Sequence, residues 1–226
     1  IPLSASVIAA SGGHYATLNF GGPATTAVTD TVETTTVSLS ATPSVAEGGT
    51  ITYTASLTSP AQTPVSVTLS NGAMITIATG AATGSVGVPA PADDVYVDAG
   101  LVSATIAAAT GGNFENLAIN PAAATTAVAD TLDGTTVSLT ASASVAEGGT
   151  IFYTASLTSP AAAPVTVTLS NGAVITIAAG SSAGTASVAA PGDDVYLGAG
   201  NMSVAIASAS GGNFENLVID PTPATT

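Results

Sequence analysis

Apolar and polar residues alternate in short runs along most of the 226-residue chain, and glycine, proline and asparagine separate the runs. A period of two places every second side chain on the same face, so each run predicts a half-buried β-strand. The Asn71-Gly72 pair predicts a tight hairpin turn, and Pro121 predicts a bend or bulge in the last run. The strands predicted for one module are residues 36–41, 50–58, 65–70, 75–78, 85–88, 101–108 and 117–128.

Seven short strands in about 100 residues, with turn signals roughly every 8 to 12 residues, are typical of an immunoglobulin-like sandwich. We therefore predict an all-β chain of tandem antiparallel β-sandwich modules of immunoglobulin-like type. The chain has no Cys and no Trp, so only the architecture is predicted, without the disulfide and buried Trp of antibody domains.

The chain repeats itself with a fixed period, which indicates tandem modules. Residues 35–60, TTVSLSATPSVAEGGTITYTASLTSP, return at 135–160 as TTVSLTASASVAEGGTIFYTASLTSP. We predict one module at 32–131 and a second at 132–226 with a truncated last strand, stacked end to end in a rod. Residues 1–31 are interpreted as the divergent C-terminal part of a preceding module, because ATTAVTD at 24–30 parallels ATTAVAD at 124–130.

Charge excludes several classes of partner. The chain has 14 acidic residues and no Lys or Arg, so neither nucleic acid nor an anionic membrane surface is an electrostatic partner. No stretch approaches the ~18 uninterrupted apolar residues of a membrane span, and no membrane insertion is predicted. The absence of Cys fits a secreted bacterial chain that does not depend on oxidative folding.

The acidic residues gather at the ends of the predicted modules. If successive strands run up and down, Glu47, the 89–100 loop and the end of the last strand share one end of the first module. The junction between the two modules then collects Glu47, Asp93, Asp94, Asp98, Asp130 and Asp133, with Glu215 from the base of the second module. The upstream junction collects Asp30, Glu33 and Glu115, and the far end of the second module presents Glu147, Asp193 and Asp194. Of the 14 acids, only Asp220 falls outside this arrangement.

Clustered carboxylates without cations repel one another, so a pKa rises or a counterion binds. Ca²⁺ takes about 6 to 8 hard oxygen ligands from flexible loops, whereas Zn²⁺ prefers His or Cys. His14 is the single His of the chain, and we therefore predict Ca²⁺ at the junctions. The alternative is that the acids are solvated loop residues. The Asp-Asp pair recurs one period later, beside a Glu in a glycine turn, and this recurrence favours a metal site over solvated loop residues. Gly198 replaces Asp98 in the second module, so Asp98 is either dispensable or specific to one junction.

Three segments carry a resemblance to a known family. SVAEGGTITYTASLTSP at 44–60 and DDVY at 93–96, with GGNFENLAINP at 111–121, resemble the tandem immunoglobulin-like extender repeats of giant LapA-like, RTX-type bacterial biofilm adhesins. The resemblance covers both modules. It implies an extracellular spacer on the bacterial cell surface, with Ca²⁺ at the linkers stiffening the rod and adhesive ligand domains elsewhere in the parent protein.

The SVAEGG and DDVY segments are also loosely similar to Calx-beta motifs, in which an early Glu, an Asp-containing loop and a terminal Asp share Ca²⁺. Carried over by position, this similarity implies a ligand set in each module. The implied residues are Glu47, Asp93, Asp94 and Asp130 in the first module, and Glu147, Asp193 and Asp194 in the second. The second module ends before a counterpart of Asp130.

An enzymatic function is not predicted, because the chain has no Cys, Lys or Arg and no Ser in a nucleophile-elbow setting. Paired carboxylates can hydrolyse glycosides, but the chain has no Trp to form a sugar platform. Tyr53 is predicted to lie in the core and Tyr96 to pack over the end of its module.

The alternative to a spacer is a self-assembling extracellular filament or surface-array subunit. In this hypothesis a terminal strand completes the sheet of an identical chain by β-augmentation. The half-module at the start of the chain and the truncated strand at its end motivate it. The predicted partners are thus neighbouring modules of the same chain or identical chains.

Overall fold

The computed structural model describes residues 2–195 and 200–226, and within these ranges it contains β-strands and no helix. The strands before the first module are β1 (Pro2–Ala5) and β2 (Ala24–Ala27). The first module comprises β3 (Thr34–Ala41), β4 (Ser44–Ala46), β5 (Thr50–Leu57), β6 (Val65–Leu69), β7 (Met74–Ile77), β8 (Thr83–Pro89), β9 (Gly100–Ala104), β10 (Ile106–Gly111), β11 (Asn116–Ile119) and β12 (Ala124–Ala129). The second comprises β13 (Gly134–Ala141), β14 (Thr150–Leu157), β15 (Val165–Leu169), β16 (Val174–Ile177), β17 (Ala183–Ala189), β18 (Ser203–Val204), β19 (Ile206–Gly211), β20 (Asn216–Ile219) and β21 (Ala224–Thr225). The all-β prediction is confirmed. None of the described residues forms a helix that could span a membrane.

Each module is built around its own apolar core. In the first module the sheet β11-β3-β5-β8 and the sheet β10-β6-β7 share one core, and a third small sheet has the order β4-β12-β9. Ile51 and Tyr53 of β5 are fully buried while their neighbours Thr50 and Thr52 are exposed, which is the alternation read from the sequence. The second module repeats this arrangement with β17-β14-β13-β20, β16-β15-β19 and β18-β21. Tyr53 therefore lies in the core, as predicted.

Two of the predicted strands are each divided, and the division introduces parallel pairs into sheets that were predicted to be antiparallel. The predicted strand 101–108 becomes β9 and β10, which belong to different sheets. The predicted strand 117–128 becomes β11 and β12, because Pro121 has no N–H to continue a ladder. Asn120 Oδ1 accepts the N–H of Ala122 at 3.0 Å across this break. As a result β11 runs parallel to β3, and β12 runs parallel to β4.

The strand β4 was not predicted, because three residues are too few to show alternation. It pairs with residues 127–129 at the end of β12. Its counterpart at 144–146 in the second module is not a strand. Within the described residues β21 pairs with β18.

The segment before the first module lies outside both cores. Residues 2–34 are all exposed, and β1 pairs with β2 in a two-stranded antiparallel hairpin. Such a hairpin is at best marginally stable in water unless it packs against something else.

Candidate metal centre

Glu47 lies in the glycine turn between β4 and β5, and the fold holds this turn from two sides. The N–H of Glu47 donates to the Ala129 carbonyl at 3.0 Å, and the N–H of Gly48 donates to the Pro91 carbonyl at 2.7 Å. Gly48 has a φ of 66°, which is the left-handed region that favours glycine. The turn therefore holds Glu47 against the module, and only 7% of its surface is exposed.

Three carboxylates meet at this turn, and we call them the junction cluster. Glu47, Asp98 and Asp130 each bring one carboxylate oxygen to within 4.8 Å of the other two. Asp98 is exposed in the 89–100 loop, and Asp130 directly follows β12 and is half-buried. The Oε2 atom of Glu47 and the Oδ1 atom of Asp130 are buried without a hydrogen-bond partner among the described residues. A buried carboxylate oxygen without a partner is costly, and a bound cation would remove that cost.

Without a cation, a proton takes up part of the repulsion within the cluster. The side-chain hydrogen bond with Asp98 and the burial of Glu47 raise the pKa of Glu47 from 4.5 to about 7. The negative charges of Asp98, Asp130 and Asp94 contribute further to the rise of this pKa. Protons and divalent cations therefore compete for the same carboxylate oxygens.

We expect the stability of the first module, with Ca²⁺ removed by EDTA, to depend on pH through Glu47. The pKa of Glu47 is about 7 in the folded chain against 4.5 for the model carboxyl, so the folded state binds the extra proton between these values. The contribution of Glu47 to the free energy of unfolding therefore falls as the pH rises from about 4.5 to about 7. The free energy of unfolding, measured in urea, should decrease across this pH range in the wild type and should decrease less in Glu47→Gln.

The matched control is Glu147→Gln in the second module. Glu147 is exposed, and Gly198 stands at the position that corresponds to Asp98. The Glu147→Gln variant should show the same pH dependence of the free energy of unfolding as the wild type. Identical slopes for Glu47→Gln and the wild type would show that Glu47 does not carry the pH dependence.

Asp130 also faces the second module. It lines a cleft of about 190 Å³ together with Val97, Thr131, Leu132 and Glu215. The Oε2 atom of Glu215 accepts the N–H of Asp133 at 2.5 Å, whereas its Oε1 atom is buried without a hydrogen-bond partner among the described residues. Asp130 and Glu215 lie on opposite sides of the junction, and each has one buried carboxylate oxygen without a hydrogen-bond partner among the described residues.

Tyr96 brings the 89–100 loop of the first module against the second module. Its hydroxyl donates to the Pro160 carbonyl at 2.6 Å. Its ring stacks on that of Phe214, with the centroids 5.7 Å apart and an interplanar angle of 23°. Tyr96 packs against the core of the second module, so it packs at the end of its module as predicted and also contacts the next module.

The backbone on each side of Tyr96 pairs with the second module as well. The N–H of Val97 donates to the Asn213 carbonyl at 3.1 Å, and the N–H of Glu215 donates to the Val95 carbonyl at 3.1 Å. Asn213 Nδ2 also donates to the Val97 carbonyl at 3.2 Å. The loop between β8 and β9 therefore forms a short antiparallel contact with the turn between β19 and β20.

That turn depends on three consecutive left-handed residues. Gly211, Gly212 and Asn213 have φ values of 99°, 86° and 59°. A Cβ atom on Gly212 would collide with the Phe214 ring. The Gly-Gly-Asn sequence is thus what allows Phe214 to meet Tyr96.

Asp93 and Asp94, which were predicted at the junction, lie beside the cluster and orient the loop. The Thr131 hydroxyl donates to Asp93 Oδ1, which ties the loop to the linker between the modules. The N–H of Tyr96 donates to Asp94 Oδ1 at 2.8 Å. Neither Asp93 nor Asp94 belongs to the group of three carboxylates.

The predicted upstream and far-end acids form no comparable group of three among the described residues. Upstream, the N–H of Glu33 donates to Glu115 Oε2 at 2.5 Å, which repeats the contact between Asp133 and Glu215, while Asp30 is exposed. At the far end, Glu147, Asp193 and Asp194 are all exposed. Gly198 lies outside the described residues.

The sequence reasoning missed two residues of the junction, Thr131 and Phe214. Thr131 stands between two acids that were assigned to the junction, and its hydroxyl is a natural donor to a carboxylate. Phe214 directly precedes Glu215, which was placed at the base of the second module. The position of this aromatic residue next to a carboxylate assigned to the junction could therefore have indicated that Phe214 lies there.

A family model described as the LapA domain matches residues 33–131 and matches again at residues 133–226. The two matches contain all three residues of the junction cluster and Glu215. A search of curated proteins finds no match.

Proposed function

The chain belongs to the LapA domain family, and on this basis we propose that its modules are structural extender repeats of a bacterial cell-surface adhesin, stiffened by Ca²⁺ at the module junction. The modules act as an extracellular spacer that supports adhesion and biofilm formation, and the adhesive ligand domains lie elsewhere in the parent protein. Their role is structural rather than catalytic.

The double placement of Asp130 carries this proposal. Asp130 belongs to the junction cluster of the first module and also lines the cleft that contains Glu215 of the second. A cation bound by Asp130 would connect the last strand of one module, the Glu47 turn and the base of the next module. Such a cation would stabilise the relative position of the two modules, which is the mechanical property that a spacer requires.

The residues present fit Ca²⁺. The cluster offers three carboxylates, and two of their oxygens are buried without a partner among the described residues. Ca²⁺ prefers hard oxygen ligands and accepts irregular geometry with water or backbone carbonyls in the remaining positions. Asp98 is exposed, so water can reach the site. Bound Ca²⁺ would supply positive charge to a chain whose formal net charge is -14.

Small-angle X-ray scattering in EDTA and in millimolar Ca²⁺ tests the proposal. At pH 8, above the pKa of about 7 of Glu47, this carboxyl is mostly ionised, so protons compete little with Ca²⁺ for its oxygens. We expect Ca²⁺ to make the profile more rod-like and to increase the maximum dimension towards about 4 nm per module, as strand length suggests. Mg²⁺ at the same concentration should have less effect, because it requires nearly ideal octahedral geometry. Profiles that superimpose in EDTA and Ca²⁺ would contradict the proposal.

A further inference from the structure

The first and last strands of the first module are hydrogen-bonded to each other from one end of the module to the other. β11 pairs with β3 in parallel over four residues, and β12 pairs with β4 in parallel over three. Further hydrogen bonds lie between these two ladders and at their outer ends. We call the paired segments 33–47 and 115–129 the parallel seam.

Side chains connect the two segments of the seam between its ladders. The Nδ2 atom of Asn120 donates to Ser38 Oγ at 3.2 Å. The hydroxyl of Thr126, a fully buried residue, donates to the Thr42 carbonyl at 2.7 Å. The partners are 82 residues apart in the first of these bonds and 84 in the second. The two segments therefore run in the same direction and keep nearly the same register past the break at Pro121.

The seam ends where the chain enters and leaves the module. At the entry, the N–H of Glu33 donates to Glu115 Oε2 at 2.5 Å. At the exit, the N–H of Glu47 donates to the Ala129 carbonyl at 3.0 Å, and the chain continues through Asp130 into the second module. The segment that follows the preceding linker is therefore bonded directly to the segment that leads into the next linker.

Tension along the chain acts on this seam in shear. It pulls segment 33–47 towards the preceding linker and segment 115–129 towards the second module, so the two parallel segments are forced to slide past each other. The hydrogen bonds of a parallel pair are evenly spaced, and in shear they are loaded together and not one after another.

We propose that the parallel seam is the load-bearing element of the module and gives the chain a further function, which is resistance to unfolding under tension. This inference rests on the proposed function, because a spacer between a cell and an attached ligand carries tension. The seam transmits that tension from one linker to the next without passing it through the sheet β10-β6-β7.

The second module repeats the entry half of the seam. β13 and β20 pair in parallel over four residues. The N–H of Asp133 donates to Glu215 Oε2 at 2.5 Å before this ladder, and the N–H of Asp220 donates to the Val137 carbonyl at 2.9 Å after it. The direct bonding between the entering segment and a late segment of the module is therefore a property of the repeat.

Pulling the 226-residue chain in two directions tests the proposal. The chain has no Cys, so pairs of introduced Cys residues can attach it to the handles of an optical trap. Val32→Cys with Leu132→Cys, at positions 76% and 77% exposed, pulls on the two linkers of the first module and loads the seam in shear. Thr50→Cys with Leu132→Cys pulls on two positions at the exit end, where Thr50 is exposed, and separates the seam bond by bond. In EDTA, the unfolding force should be at least about twofold higher in the first geometry, because the evenly spaced bonds then share the load.

Two substitutions in the core separate strength under load from equilibrium stability. Thr126→Val removes the hydroxyl bond to the Thr42 carbonyl within the seam. Ile77→Val shortens a fully buried side chain of β7, which lies outside the seam. Both should lower the free energy of unfolding in urea by similar amounts, whereas forced unfolding follows the unfolding rate. With handles at positions 32 and 132, Thr126→Val should lower the unfolding force, and Ile77→Val should leave it near the wild-type value.

The proposal is overturned if the two pulling geometries give the same unfolding force, or if the two Val substitutions lower that force equally. The force measurements are made in EDTA, so they do not depend on metal binding at the junction cluster. If Ca²⁺ leaves the scattering profile unchanged while the shear geometry resists the higher force, stiffening by Ca²⁺ is contradicted and the load-bearing role of the seam is supported.

Discussion

Replacing Asp130 with Asn is expected to weaken Ca²⁺ binding at the junction by about 100-fold or more and to abolish the stiffening of the rod by millimolar Ca²⁺. Changes to groups that only support a metal ligand already cost about 10- to 100-fold in affinity, and loss of a charged ligand should cost at least as much. Asp130 is also the one cluster member whose residue lines the cleft with Glu215. Its loss would therefore remove both a proposed ligand and one of the connections between the modules.

Titration calorimetry and scattering on the same samples check this expectation. Asp220→Asn is the matched control, because it removes one negative charge outside the junction. The Oδ1 atom of Asp220 accepts the N–H of Thr222 at 2.9 Å, a bond that the amide oxygen of Asn can keep. We expect Asp220→Asn to retain the affinity and the rod-like profile of the wild type. Unchanged Ca²⁺ affinity in Asp130→Asn would favour the alternative in which the acids are solvated loop residues.

Much of the fold follows from the sequence because the modules obey simple local rules. The alternation in residues 50–57 predicts the buried positions of β5, and the Gly-Gly turns lie where the structure has positive φ values. The parallel pairs were not predictable by the same means. A strand as short as β4 shows no periodicity, and its partner β12 becomes separate only because Pro121 interrupts the preceding ladder.

The site follows from the sequence at a coarser level. Assigning strand ends to two poles placed Glu47, Asp98 and Asp130 at one end of the first module, and the structure brings these three together. The same reasoning could not separate them from Asp93 and Asp94, because strand order gives the end of a module and not the direction of a side chain. Short-range hydrogen bonds to Thr131 and to the N–H of Tyr96 decide where those two carboxylates point.

Asp98 and Tyr96 belong to the same loop, so metal binding and aromatic docking are mechanically connected. Tyr96 is held by the second module through Pro160 and Phe214, and Asp98 follows two residues later. Docking of the loop thus restricts the position of one cluster carboxylate. Repulsion among the three carboxylates pushes Asp98 away from Glu47 and Asp130 until a cation or a proton reduces it.

We accordingly expect Tyr96→Ala to separate the two modules even when Ca²⁺ is present. Tyr96 is half-buried, and truncation of an aromatic hot-spot residue at an interface costs on the order of 2 kcal/mol. Here it removes both the stack on Phe214 and the hydrogen bond to Pro160. Residual dipolar couplings should then report two different alignment tensors in place of one shared by both modules. The Ca²⁺ affinity of the cluster should also fall, because Asp98 is no longer held near Glu47 and Asp130.

Tyr96→Phe and Tyr15→Ala distinguish this effect from a general loss of stability. Tyr96→Phe keeps the aromatic stack and loses only the hydroxyl bond, which is worth about 1 kcal/mol, so the modules should stay aligned. Tyr15 is 72% exposed in the leading segment, and its replacement by Ala should change neither alignment nor Ca²⁺ affinity. A shared alignment tensor in Tyr96→Ala would show that the metal cluster alone holds the junction. Loss of alignment together with unchanged Ca²⁺ affinity would show that the aromatic contact and the metal site act independently.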